Sequence, residues 1–480
     1  MTIEGAISSA LNGYTAFSSQ VANISENLAN ISTVGFKRVD TEFKDLLMAP
    51  EAGYNSPLSV RARPIYRNDV SGNITGSDNP TSFAVSGGEG FVPVTETSFS
   101  GGKETLGTDI RYTRAADFSV DVNYNFVNSD GQALMAVKET GKFTNTFPAT
   151  PTSLEPVNRD PAVYGTLPGA ATTALSLNVN FPAEATMAGD PNGAYPAAGP
   201  AAGSNAGDQI LSVPFFDSLG YTHTMDLTLR KTEGYNGTKH ADGTPVLNTW
   251  NVINAVVVGA PGKPDIPVTH WVDPTKPLAP ITSPNPNPNL SISFDGTGRL
   301  AGTSTLNFTY PGLTDTLPDG TTSVSAQTTV SMDFGTPAMN STQFSGAALQ
   351  IRNTQDWDGH ATGVFDRATI DKDGYVAFTY TNGMTVTPYR ISLATFANPN
   401  KLERISGATF GANPSAAGAP TYSWPGDQGG TIAPDSVESS NVDVAAELTK
   451  MIVAQRAYSS NSKVISTGDS MIQTAIGMKS

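Results

Sequence analysis

Helix-breaking residues are confined to one interval of this chain. All 34 prolines lie between Pro50 and Pro434, and of the 46 glycines only Gly5, Gly13, Gly35, Gly468 and Gly477 fall outside it. Proline costs about 3 kcal/mol in a helix interior and glycine about 1. The long middle therefore cannot be mainly helical, whereas both ends can be. At about 100 to 200 residues per domain, 480 residues with 38% hydrophobic content leave room for several domains.

The first segment places Ile3, Ile7, Ala10, Tyr14, Phe17, Val21, Ile24, Leu28 and Ile31 at alternating steps of four and three. That is an a/d seam over four heptads, about 42 Å of helix at 1.5 Å per residue. The last segment repeats the spacing with Val444, Leu448, Met451, Gln455, Tyr458, Ser462, Ile465, Asp469, Ile472 and Ile476. A neighbouring row (Ala454, Ala457, Asn461, Val464, Gly468, Met471, Ala475, Met478) widens its apolar face. Periodicity alone leaves two readings open, a helical hairpin within one chain and pairing with other copies.

The outer face of the first helix weighs toward the second. Up to Phe36 it carries only Glu4 and Glu26 as charges, among Ser8, Ser9, Asn12, Ser18, Ser19, Gln20, Asn23, Ser25, Asn27 and Asn30. Solvated coiled coils cover such positions with Glu and Lys. A small, uncharged polar face suits close packing of many copies or the lining of a passage. Helices of such weak propensity are marginal alone, so both ends are expected to be disordered in a free monomer and to fold on association.

The middle reads as β structure. Gly374 to Tyr380, a turn at Asn382-Gly383 and Thr385 to Thr387 spell a hairpin, because Asn-Gly supplies positive φ. Further strand-like runs are Phe118 to Val120, Met225 to Leu229, Val252 to Val258 and Leu290 to Phe294. Pro182 to Ala206, Pro261 to Pro288 and Gly411 to Pro434 read as loops or connectors.

Chemistry is sparse. The formal charge of −15 disfavours nucleic acid, whose affinity comes mainly from basic side chains on phosphates, and no run is apolar over the roughly 18 residues of a membrane helix. The absence of cysteine removes disulfides, thiol nucleophiles and cysteine-ligated metals. No phosphate loop, dinucleotide fingerprint or nucleophile elbow is present. His223, His240, His270 and His360 lack metal-ligand spacing and read as surface or loop residues. Asp371-Lys372-Asp373-Gly374 hints at calcium, but Tyr375 stands at the fifth position, where an EF-hand loop wants a further oxygen ligand, and Asn382 at the twelfth, where it wants a glutamate, so a β-turn is expected. The reading assigns no catalytic residue, cofactor or metal. Met1 to Gly5 has neither a basic nor an apolar signal region, so no cleavable signal peptide is expected.

The segment Ala22 to Arg38, with Asn23, Asn27, Leu28, Asn30, Thr33, Gly35 and Phe36 followed by Lys37-Arg38, resembles the N-terminal signature of bacterial flagellar rod and hook proteins. Asn441 to Leu448, continuing through Met451 to Tyr458 and Asn461 to Lys463, is similar to the matching C-terminal signature. Gly88-Glu89-Gly90-Phe91-Val92 and Arg111 to Ala115 look like the core shared by that family. Phe216 to Gly220, Asn248-Thr249-Trp250, Thr342 to Ser345, Ile370 to Gly374, Tyr380 to Gly383 and Leu393 to Pro399 resemble its longer, hook-type members. Ala115-Ala116 departs from the family, which commonly has a glycine there.

The resemblance implies a mainly β middle with paired terminal helices in a nested, discontinuous architecture. Its parts would be a coiled-coil domain (1–31 and 440–480), an extended connector (32–79), a β-rich core (80–145 and 345–439) and an inserted outer β domain (146–344). It implies a structural subunit of the hollow hook tube that couples the rod to the filament. The seam residues, with Val444, Leu448 and Ile476 among them, would form the assembly interface. Implied partners are other copies of the chain, the distal rod, hook cap and hook-filament junction proteins, and the flagellar type III export apparatus that delivers subunits outside the cell. A rod or junction protein is the alternative within the family, and a secreted β-rich carbohydrate-binding or hydrolytic protein the alternative outside it.

Overall fold

The computed structural model describes residues 3–46, 59–100, 103–138, 154–185, 209–233, 247–258, 265–270, 279–280, 291–302, 305–316, 322–336, 339–346 and 348–478. They form two compact units, one of Met1–Gly165, Asp366–Thr379 and Thr385–Ser480, the other of Thr166–Phe365 and Tyr380–Met384.

The first unit carries both long helices, α1 (Ile3–Ala29) and, after the single turn α2 (Pro161–Tyr164), α3 (Val444–Gly477). Asp443 starts α3 by accepting from the Ala445 and Ala446 amides at 2.9 and 3.2 Å, satisfying donors that a helix start leaves orphaned. The segment expected to be an extended connector contains a hairpin instead. Its strands β1 (Val39–Leu46) and β2 (Ser59–Tyr66) pair antiparallel from Val39 opposite Tyr66 to Leu46 opposite Ser59. Thr41, Phe43 and Val60 supply the β-branched and aromatic residues that favour such pairing.

The β core of this unit follows with β3 (Ile74–Gly76), β4 (Phe83–Ser86), β5 (Val92–Ser100), β6 (Lys103–Thr113), β7 (Phe118–Val120), β8 (Phe126–Asn128) and β9 (Gln132–Lys138). β5 lies between β6 and β9, and β9 continues to the hairpin of Tyr375–Tyr380 and Thr385–Arg390. Phe91, Phe396, Phe410 and Tyr112 pack edge to face at its centre. The stretch read as a Gly411 to Pro434 connector belongs to this core. Thr431–Pro434 pairs with β4, Thr421–Ser423 pairs with Leu393–Thr395, and Ala417 and Trp424 are buried. Its glycines serve turns packed against β strands, as where Gly430, at φ 98°, lies beside Gly88.

The second unit is all β. One sheet centres on Gln209–Phe216, Thr222–Glu233 and Asn248–Val257, the other on Ala174–Pro182, Thr305–Tyr310 and Thr328–Asp333. Alternate side chains from both sheets, including Trp250, Phe181, Phe294, Phe308 and Leu227, form one buried cluster.

One turn recurs five times among the described residues. Asp121, Asn128, Asp217, Asp295 and Asp371 each use a single Oδ1 to accept the backbone N–H groups two and four residues on, at 2.8 to 3.1 Å. The residue three on has positive φ, and it is Gly131, Gly220, Gly298 and Gly374 in four cases and Tyr124 in the fifth. The Asp371 motif is thus a side-chain-capped turn. His223 departs from the surface expectation, lying half-buried in a strand with Nε2 3.5 Å from Asp217 Oδ2.

Candidate assembly site

The terminal helices pack antiparallel within one chain. Asn27 meets Glu447, the Tyr14 and Tyr458 rings pack tilted with centroids 4.3 Å apart and their hydroxyls hydrogen-bonded, and Ile7 lies against Gly468. Two small residues allow the close approach, since a Cβ on Gly13 would stand 2.7 Å from Asn461 Nδ2 and one on Gly468 would stand 2.7 Å from Ile7 Cγ1. The two helices thus cover part of each other within one chain, the hairpin arrangement that periodicity left open. Along α1, Ile24 is buried, while Ile7, Tyr14, Phe17, Val21 and Leu28 are half-buried. Phe17 turns to the hairpin, its ring 5.2 Å from Phe43. Ile3 starts the helix, and its side chain lies outside the described residues. Ile31 falls past the end of α1 and is exposed.

On α3 the covered row is Glu447, Met451, Ala454, Tyr458, Asn461, Ile465, Gly468 and Ile472. It retains Met451, Tyr458, Ile465 and Ile472 of the expected seam. Between them it takes polar or small residues, which crowd less and find partners on α1, in place of Val444, Leu448 and Ile476. Those three are exposed, and with Ile452 the first two make a row stepping by four at 41%, 46% and 53% exposure. Val464, Met471 and Met478, spaced by seven, form a second exposed row, and Leu11 is exposed on α1. Unpaired apolar strips of this kind mark contact surfaces.

The two end signatures converge on each other. Asn27, fully buried, donates to the Val39 carbonyl at 2.9 Å and to Glu447 Oε2 at 3.0 Å, and accepts from the Val39 amide at 2.8 Å. Asn23 donates to Thr41 Oγ1 at 2.8 Å. Both asparagines face inward, not along the outer polar face. Asn30 folds back on the Glu26 carbonyl at 2.9 Å and accepts from Thr33 at 3.2 Å, closing the helix end. Gly35 then turns the chain at φ 69°, where a Cβ would sit 2.4 Å from the Ala115 nitrogen. Phe36 follows fully buried, with the Arg404 guanidinium 4.5 Å from its ring centre. Asn441 ties this passage to the hairpin exit, accepting from the Arg38 amide at 2.7 Å and donating to the Arg67 and Val70 carbonyls at 3.1 and 2.9 Å.

Behind it lies a buried charge cluster. Glu438 takes Lys37 Nζ on Oε1 at 2.5 Å and Arg114 Nη1 on Oε2 at 2.9 Å, and all three side chains are about 1% exposed. The Gly72 amide donates to the same carboxylate at 2.7 Å, and the Glu438 carbonyl accepts from the Gly35 amide at 2.7 Å. Burial pushes the Glu438 carboxyl up, but Arg114 and Lys37 outweigh it and hold it below the usual carboxylate range. Sequence reasoning placed Lys37 and Arg114 in motifs without pairing them, and it missed Glu438, an isolated acid 401 residues from Lys37.

Among the described residues no group of three or more His, Asp or Glu could hold a metal ion, and no helix is long and apolar enough to cross a membrane. The arrangement holds chain segments together and offers apolar rows on α3.

Comparison with known proteins gives this arrangement a context. The family described as flagellar basal body rod FlgEFG protein C-terminal matches residues 433–478, and that described as flagellar basal body protein FlaE D2 domain matches residues 180–360. The chain is 27% identical to the flagellar hook protein FlgE of Brucella suis, covering 100% of both chains. It is 26% identical to that of Rhizobium meliloti over 100% of both, and 27% identical to that of Escherichia coli over 99% of this chain and 100% of the other. The Helicobacter pylori flagellar hook protein FlgE2 aligns with a TM-score of 0.48 at 12% identity, over 76% of this chain and 100% of that one. Matches run end to end and cover the terminal signature as well as the β unit, so the chain is similar over its whole length to flagellar hook proteins.

Proposed function

We propose that this chain is a structural subunit, not an enzyme, that polymerises through its terminal helices into the flagellar hook, outside the cell. The observation that carries the reading is the pair of exposed apolar rows on α3, Val444-Leu448-Ile452 and Val464-Met471-Met478, left over after α1 has covered the opposite side. Burying such side chains is worth about 1.5 to 3 kcal/mol each, and other copies of the chain supply the cover. The division into a coiled-coil domain, a β core and an inserted outer β domain belongs to this reading, and the D2 match within the second compact unit supports it. So do contacts with rod, cap and junction proteins, and delivery through the flagellar export apparatus.

The test is electron microscopy of the concentrated protein, with tubes expected from the intact chain. A chain confined to residues 30–443, which keeps Glu438, is expected to stay folded and monomeric. A ligand-binding or hydrolytic protein would instead form no tubes and would be indifferent to the cut.

A further inference from the structure

The Glu438 cluster joins four parts of the first unit through buried charge. Lys37 lies on the passage out of α1, Gly72 on the passage out of the α1-packed hairpin, Glu438 on the passage into α3, and Arg114 at the end of β6 in the core. Arg114 also donates to the Gly88 carbonyl at 2.8 Å, and Lys37 to the Val70 carbonyl at 2.8 Å. Among the described residues, other ties between the helical layer and the core contain no fully buried ion pair; they include the Asn68 and Asp69 amides on Asn400 Oδ1 at 2.8 and 3.1 Å and Arg404 over Phe36. Arg404 to Glu26 at 2.8 Å is partly exposed, and exposed pairs contribute little. Asn68 to the Pro399 carbonyl at 2.9 Å is neutral.

We propose that the Glu438 carboxylate is a clasp: it ties the passages leading into both terminal helices onto the β core, so that removing its charge frees the helical layer while layer and core each stay folded. Two buried cations share this one carboxylate. Without it they repel each other with no solvent to screen them, and breaking a buried pair from one side costs far more than the pair contributes. The charged groups facing the carboxylate are Lys37 and Arg114. Asp69, which acts on Lys37 and lies 3.6 Å from Arg67, does not replace it. The inference concerns the single chain and holds whether or not that chain polymerises.

The joint contains its own reporter, because trypsin cuts after Arg38 and Arg67, which flank the clasp. Where opening is fast, cleavage follows the open population. In the intact chain Glu438→Gln should raise cleavage after these two residues about a hundredfold, while the thermal transition of the core stays cooperative. Unchanged cleavage, or loss of the core transition together with the joint, would overturn the proposal. Should Glu438→Gln fail to fold, hydrogen exchange of the unaltered chain in acid decides. The Gly72 amide should lose protection before the β5 and β6 amides, and simultaneous loss would sink the clasp.

Discussion

Asn27 and Glu447, 420 positions apart in the chain, share a hydrogen bond of 3.0 Å inside the helix pair. The same Asn27 side chain satisfies both backbone groups of Val39, so it fixes α1 to its hairpin and to α3 at once.

Asn27→Ala should therefore cost about 2 to 4 kcal/mol, because it strands a buried amide, a carbonyl and part of a carboxylate. Thermal unfolding followed by circular dichroism would show it. A change within 0.5 kcal/mol would mean that water replaces these bonds and that the asparagine does not organise the knot.

Gly35 and Gly383 separate backbone strain from collision. Both have positive φ, 69° and 81°, but a Cβ at Gly383 meets nothing within 4 Å whereas one at Gly35 meets the Ala115 backbone. Gly383→Ala should cost about 1 kcal/mol, from φ alone. Gly35→Ala should cost at least twice that, measured by denaturant midpoint. Equal costs would show that the Ala115 loop yields freely.

Stability should depend on acid in a defined window. Glu438 binds its proton less tightly when folded than at its ordinary pKa of 4.5. Its contribution is thus complete above that value and is lost as pH falls through the lower folded one. The first unit's melting temperature should hold from neutral pH to about pH 5 and then drop. For Glu438→Gln the curve should lie lower at neutral pH and approach the parent curve in acid, through a shallower acid limb. Parallel curves would assign the acid transition to other groups.

The exposed rows and the covered row should respond differently to charge. Leu448→Asp combined with Ile452→Asp should leave monomer melting unchanged and abolish tubes in electron micrographs. Ile24→Asp should destabilise the chain by several kcal/mol, since a carboxylate would enter a buried site. Normal tubes from the double variant would remove that row from the interface.

The α1 seam and the hairpin at Asn382-Gly383 were legible because apolar spacing and turn chemistry are local signals. The covered row of α3 was legible only in part. Met451, Tyr458, Ile465 and Ile472 stood in the expected seam and Ala454, Asn461 and Gly468 in the row beside it, but Glu447 escaped notice because a buried polar residue declares itself only through its partner. Val444 and Leu448 look like core by hydropathy and are exposed, since no element among the described residues covers that flank. Gly411 to Pro434 read as a connector because composition cannot distinguish a loop from tight turns packed around Trp424. Glu438 was invisible for the same reason as Glu447, its partners lying hundreds of residues away.

The separation between Asn27 and Glu447 also sets an order of events. The five side-chain-capped turns close over four residues each and can form as soon as their strands exist, whereas the knot at the ends waits for nearly the whole chain, the slowest kind of contact to make. A chain released amino end first thus carries an unpaired α1 until its final forty or so residues arrive. Completion of the molecule and its readiness to join others become one and the same moment.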